Sequence, residues 1–318
     1  MVDELAASPR LRVFGTVAVT ALVAGGLVFL FVTRGGTPSG TTRVGSTPRG
    51  LAVGAGSVWT ANGDEGTVSR IDPVSHRVTS TISVHGAPYG LTVGGGAVWV
   101  TNPGTATVAR LDPATDHVTD RIRVGAGPRS VAADSGAVWV ANHDANTVTR
   151  IDPTTDRAVA TIHVGVKPAA VTTGAGAVWT ANAGDRTVSR IDPASNTLVA
   201  TIGVGRIPVS ITVGEGAVWV VNTRGSTASR IDPGTNTVTA TIRTGSRPAG
   251  VTTGAGAVWV ANLGDNTVSR ISPTTNRITT TVGVGADPNA IAVGYGRIWV
   301  TNESDGDVSW LRPSPRPS

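Results

Sequence analysis

The stretch PAAVTTGAGAVWTANAGDRTVSRIDPASNTLVATIGVG, Pro168–Gly205, holds one complete copy of the unit from which this chain is built. Its Val-, Thr- and Ile-rich runs are cut by turn chemistry. Gly174-Ala175-Gly176, Ala183-Gly184-Asp185-Arg186 and Asp192-Pro193-Ala194-Ser195-Asn196 supply the positive-φ and Asx-turn positions that tight turns need. The punctuation predicts four strands, over Ala169–Thr173, Ala177–Ala181, Thr187–Ile191 and Leu198–Val204. No 3.6-residue apolar spacing accompanies them, which sets aside the helical repeats of similar period.

Working outward, the unit recurs along the chain. Trp59, Trp99, Trp139, Trp179, Trp219, Trp259 and Trp299 fall at a constant interval of 40 residues, without insertion or deletion. Other columns keep step: Pro48 to Pro288, Asn62 to Asn302, Val68 to Val308 with Ala228 once, and Arg70 to Arg270 with Trp310 in the last copy. Four short strands per repeat match a propeller blade. Seven copies therefore predict an all-β chain, a seven-bladed β-propeller of four-stranded antiparallel blades over residues 41–311. Copy seven stops at Trp310-Leu311 without a fourth strand, while Thr41–Val44 precede copy one without the other three. In register this orphan strand matches Thr241–Thr244, so residues 41–45 are expected to complete blade seven and close the ring, removing the exposed ends of an open array.

Identical placement in every copy marks a residue as architectural. The seven tryptophans are read as wedges between neighbouring blades, each burying about 150–250 Å², rather than as a sugar-stacking ladder. Asn62 and its equivalents are expected to satisfy loop backbone groups. Asp72-Pro73 and its copies are read as turn formers, with Ser272 the one exception to Asp.

Composition narrows the classes further. The 318 residues include no Cys, which excludes disulfides, a thiol nucleophile and Cys-ligated metal. The net charge of +5 is almost wholly arginine, Lys167 being the sole lysine, and no basic stripe with interleaved aromatics points to nucleic acid. Val13–Thr33 carries no charge and would reach about 31 Å as a helix, close to the hydrocarbon thickness of a bilayer. It is predicted to be a transmembrane anchor, since the apolar part of a cleaved signal peptide usually runs only about 7–15 residues; secretion after cleavage is the alternative. The expected order is a short cytoplasmic N-terminus (1–12), the transmembrane helix (13–33), a linker (34–40), a monomeric propeller outside the cytoplasm, and a Pro/Ser/Arg tail (312–318).

The tetrads Trp99-Val100-Thr101-Asn102 and Trp299-Val300-Thr301-Asn302, followed by Thr-Val-Ser-Arg-Ile-Asp-Pro and Thr-Ile-x-Val-Gly runs, resemble the YVTN-type β-propeller repeats, and the resemblance covers residues 41–311. It implies a seven-bladed envelope-associated or ligand-binding module. The Gly-x-Val-Trp element with its short polar loop and Arg-Ile also resembles the virginiamycin B lyase propellers. That resemblance implies a metal-dependent lyase using His and Glu, although those repeats commonly carry Glu where this chain has Asn at 62, 102, 142, 182, 222, 262 and 302.

Positions that vary between blades are free to be specialised. They concentrate in the links to the next blade (46–49 and copies) and in the loops after the Asn column (63–66 and copies), which share one face of a propeller. The links contribute Arg49, Tyr89, Arg129, Lys167, Arg206 and Arg247, opposed by Asp287. A concavity ringed by like charge focuses potential, so these six are the candidate binding residues for an anionic ligand such as a wall polymer or acidic glycan. The loop acids Asp64, Glu65, Asp144, Asp185, Asp265, Glu303 and Asp305 are scattered over different blades and are read as turn formers rather than calcium ligands. The five histidines (His76, His85, His117, His143 and His163) form no cluster, and His143-Asp144 is the single candidate acid–base pair. No catalytic residue and no cofactor are assigned. The expectation is a binding or scaffolding module of the cell envelope for an unidentified ligand or protein, with a lyase as the alternative.

Overall fold

The computed structural model describes residues 21–23, 26–28, 38–134 and 136–313. From Gly40 to Leu311 the chain forms seven four-stranded antiparallel sheets. Blade one runs through Pro48–Gly54, Ser57–Asn62, Thr67–Ile71 and Val78–Ser83, and the later blades repeat this order. The blade quoted above spans Pro168–Gly174, Ala177–Asn182, Thr187–Asp192 and Thr197–Gly203, within a residue of the expected bounds.

Ring closure follows the register expected from the repeat. Gly40–Arg43 pairs antiparallel with Asp307–Leu311, Thr41 opposite Ser309 and Thr42 opposite Val308, as Thr241 and Ile242 face Ser229 and Ala228 in blade five. Of the expected transmembrane helix, only Ala21–Val23 and Gly26–Val28 are described, and they form a small antiparallel hairpin rather than a helix. The rest of 13–33, like 1–12, 34–37 and 314–318, lies outside the described residues. Among those described, no helix is long and apolar enough to cross a membrane.

The core is a series of wedges between blades. Trp59 is buried with Val98, Val100 and Leu111 of blade two, and Trp299 with Val58 and Ile71 of blade one. The indole Nε1 of Trp59 donates to the Gly54 carbonyl at 3.1 Å, and five of the other tryptophans repeat this bond. Burying so large an apolar ring while satisfying its one donor explains why the position does not vary.

A second device ties the blades on the opposite side of each tryptophan. Arg70 lies 5.0 Å over Trp59, and its Nη1 crosses the seam to the Pro113 carbonyl and to Asp116 Oδ1, both at 3.0 Å. Four further arginines reach the same place in the next blade: Arg110 to Asp156, Arg150 to Asn196, Arg190 to Asn236 and Arg230 to Asn276, at 2.9–3.4 Å. The receiving residues all have φ between 54° and 59°, a conformation Asp and Asn tolerate better than most. At the closing seam, Trp310 replaces the arginine and His76 the receiving residue. Their rings stack with centroids 3.9 Å apart and 17° between planes. Thr42 of the closing strand donates to the His76 carbonyl at 2.8 Å.

Candidate functional site

The innermost strand of six blades carries a β-bulge near its start, while blade two places Tyr89 at the same position without a register shift, its N–H donating to the Thr101 carbonyl at 3.0 Å. In blade one Pro48 faces Asn62 and Gly50 faces Ala61, which leaves Arg49 without a ladder partner. The shift recurs after Pro128, Pro168, Pro208, Pro248 and Pro288. A bulge re-aims its residue out of the pleat. Contacts show where these side chains go: the Tyr89 ring of blade two is flanked by the Arg49 guanidinium of blade one at 5.5 Å and the Arg129 guanidinium of blade three at 5.7 Å. The bulge column therefore forms a ring at one end of the channel, reading Arg49, Tyr89, Arg129, Ala169, Val209, Ala249 and Asn289.

The links and the loops after the Asn column do share a face. Gly63 donates its N–H to the Thr47 carbonyl at 3.0 Å, and His143, Ala183, Thr223, Leu263 and Glu303 make the same bond in their blades. Pro103 has no N–H to give, so blade two lacks it.

Of the six expected binding residues, the structure brings together Arg49, Tyr89 and Arg129. Lys167, Arg206 and Arg247 stand two or three positions earlier in their links and are exposed, not in the bulge ring. Arg49 Nε is paired with Glu303 Oε1 at 3.0 Å, and Asn289 Nδ2 donates to Glu303 Oε2 at 2.8 Å. Glu303, expected to be a turn former, instead lies at the inner rim. It occupies the position directly after the Asn column, which turns inward. The guanidinium of Arg129 makes no hydrogen bond among the described residues, and the two Nη atoms of Arg49 also remain free of protein partners.

Between blades six, seven and one lies an opening of about 800 Å³ whose lining includes Arg43, Arg49, Arg247 and Leu263. Its carboxylates outnumber its guanidinium groups, so this sector is mixed rather than cationic. The acids are occupied, however. Asp64 accepts from Thr47 Oγ1 and Asp287 from Ser304 Oγ. Glu65 accepts from the Ser46 N–H at 2.9 Å and Asp305 from the Ala286 N–H at 2.7 Å. Asp185 and Asp265 likewise accept link N–H groups, at 2.9 and 2.6 Å. These carboxylates staple the links.

His143 is buried in the same blade as Arg129, directly after its second strand, and its Nδ1 lies 2.7 Å from Asp144 Oδ1. That hydrogen bond, with the nearby charges of His143, Arg129 and Lys167, holds the Asp144 carboxyl below its ordinary value. The Asn column does not serve loop backbones as expected. Asn62 Nδ2 donates to Thr67 Oγ1 and Ser69 Oγ at 3.0 and 2.9 Å, and only Asn262 Oδ1 accepts a link N–H, from Gly245 at 3.1 Å. The hydroxyls of the third strand take the amide instead. Blade two has Ala109 in place of one of them, and buried Asn102 finds no partner.

The metal implied by the lyase resemblance needs convergent His and Glu donors. Glu303 is committed to Arg49 and Asn289, and His143 belongs to a different blade and pairs with Asp144. Among the described residues no three His, Asp or Glu side chains come together. The residues present do not fit that metal.

A closed ring of seven four-stranded antiparallel blades places the chain among the seven-bladed β-propellers. The chain belongs to the virginiamycin B lyase family, which matches residues 74–316. Of the two resemblances read from the motifs, this match supports the second. Among solved structures, a streptogramin B lyase shares 21% identity with a TM-score of 0.76, covering 85% of this chain and 96% of that one. Virginiamycin B lyase from Staphylococcus aureus gives 21% and 0.75 over 84% of this chain and 96% of that one. Hydrazine synthase from Kuenenia stuttgartiensis gives 15% and 0.70 with the same coverage. Identities this low establish a shared fold and nothing more about chemistry. No curated protein matches the chain.

Proposed function

We propose that this protein is a non-catalytic binding module of the cell envelope, anchored through 13–33 with its propeller outside the cytoplasm, which holds an anionic ligand at the channel mouth. The observation that carries the reading is the Arg49–Tyr89–Arg129 arc. Two guanidinium groups flank one aromatic ring, and most of their donors are unspent by the protein. Guanidinium donors suit a carboxylate or phosphate, which they can grip in bidentate fashion. Lys167, Arg206 and Arg247, exposed further out on the same face, would add attraction at longer range.

Family membership favours a lyase as the second reading, and His143-Asp144 is the one pair that could move a proton there. It is opposed by the donor set described above and by the buried Asn column, whose amides are spent on hydroxyls of the third strand.

Isothermal titration of the full chain with anionic ligands, oligogalacturonate among them, tests the proposal. Arg129→Glu should weaken binding by about tenfold or more, and virginiamycin B incubated with Mg²⁺ should stay intact. Unaltered anion binding in Arg129→Glu, or ring opening that His143→Ala abolishes, would overturn it.

A further inference from the structure

The bulge ring is divided. Asn289, Arg49, Tyr89 and Arg129 follow one another on blades seven, one, two and three, and Ala169, Val209 and Ala249 follow one another on blades four, five and six. All of them are partly exposed. A ring specialised for a uniform polyanion would carry donors all round. This one presents hydrogen-bonding cations on one arc and small or branched apolar side chains on the other.

Two residues extend the apolar arc. Leu263, directly after the Asn column of blade six, lines the opening between blades six, seven and one. Ile207 of the link into blade five has φ 54°, a region where a β-branched residue is strained and glycine is at ease. In blade three the same position is Gly127, with φ 65°. Thr47, Lys167, Arg247 and Asp287 hold the same conformation in other blades, so blade five is distinguished among them by placing an apolar, partly exposed isoleucine where the others carry polar or charged side chains or glycine. Partly exposed apolar groups on blades four to six, with Leu263 bordering the opening that Arg49 also lines, beside unspent guanidinium donors on blades one and three, are the complement of a molecule with two unlike ends.

We infer that the ligand is an amphipathic anion, with a compact carboxylate, sulfate or phosphate head held between Arg49 and Arg129 over Tyr89 and an apolar body lying across Ala169, Val209 and Leu263. The inference rests on the anion-binding reading above and narrows it: the partner is a small amphiphile rather than an evenly charged polymer.

A series of 4-alkylbenzoates, from butyl to octyl, separates the two statements when titrated into the full chain below the micellar range beside oligogalacturonate. Affinity should rise by about threefold per methylene. Arg129→Glu should abolish binding of the whole series, and the corresponding 4-alkylbenzyl alcohols should bind at least tenfold more weakly. Val209→Thr, which keeps the shape of the side chain, and Leu263→Gln, at a looser site, should each flatten the dependence on chain length while leaving the shortest member nearly unchanged. Equal binding of all chain lengths and of oligogalacturonate, still lost in Arg129→Glu, would overturn the amphiphile and leave the anion site standing. A chain-length dependence unmoved by either apolar variant would overturn it as well. Failure of every anion to bind would remove both readings.

Discussion

Five seams between blades and the seam that closes the ring do the same job with different chemistry. In the five, an arginine stacked on its own tryptophan reaches a left-handed Asp or Asn of the next blade, by a directional hydrogen bond in four of them and by an ion pair at Arg110–Asp156. At the closing seam, Trp310 and His76 meet face to face, and one threonine of the incoming strand fixes the histidine backbone. The arginine latch is assembled between segments that are near neighbours in the chain. The closing latch joins the two ends of the propeller, and a flat stacked pair tolerates small errors of approach that a guanidinium fork would not.

The largest expected effect is from breaking the closure itself. Deletion of Gly40–Arg43 strips the outer strand from blade seven, leaves Asp307–Leu311 as an open edge and frees His76 from Thr42. Calorimetry should show the melting temperature lowered by on the order of 10 °C; an unchanged transition would mean that the strand does not hold the ring.

Exchanging one latch for the other sharpens the comparison. Trp310→Arg alone should cost about 1–3 kcal/mol, because the new guanidinium meets an imidazole instead of an acceptor. Adding His76→Asn recreates the Arg190–Asn236 pairing and should recover at least half of that loss in chemical denaturation, whereas an additive double variant would show that the two residues are not coupled. The exchange should also remove a pH dependence. Burial, followed by the neighbouring Arg297 charge, pushes His76 below its ordinary value of about 6.5, against a weaker opposing pull from Asp72. With the folded value depressed, the stabilisation is present above pH 6.5 and drains away as pH falls through the lowered one. Melting temperatures at pH 7.5 and 5 should differ less in His76→Asn than in the parent chain.

The smallest effect belongs to a single arginine latch. Arg70 and Asp116 each keep about a quarter of their side chains exposed, and solvent screening limits such a pair, so Arg70→Ala should cost only about 0.5–1.5 kcal/mol. A loss as large as that of the closing-strand deletion would erase the distinction between the seams.

The seven blades, their strands and the shared seventh blade were legible because the 40-residue period is unbroken and each turn is written in Gly, Asp, Asn and Pro. The candidate binding end was legible only as a face. Link residues such as Arg49, Lys167 and Arg247 look alike in sequence, but only Arg49 sits at the bulge, and the ladder shift that singles it out is a property of the pairing rather than of any one residue. Glu303 was misplaced for a related reason: the residue after the Asn column is the first of a polar loop, yet its side chain points to the axis and meets an arginine from the other end of the repeat array. The Trp310–His76 exchange was half visible, since the loss of arginine in the last copy was plain, whereas its partner lay far away in the first.

The bulge has a consequence for how such a ring can be altered. Each blade has one position, directly after the proline of its innermost strand, whose size varies widely, as the run from arginine through tyrosine to alanine shows, and in six blades no strand partner reads it. The mouth thus behaves as a seven-place register set into an otherwise repetitive scaffold. Its entries can be rewritten one blade at a time, and a library confined to those seven places would search recognition while leaving foldability almost untouched.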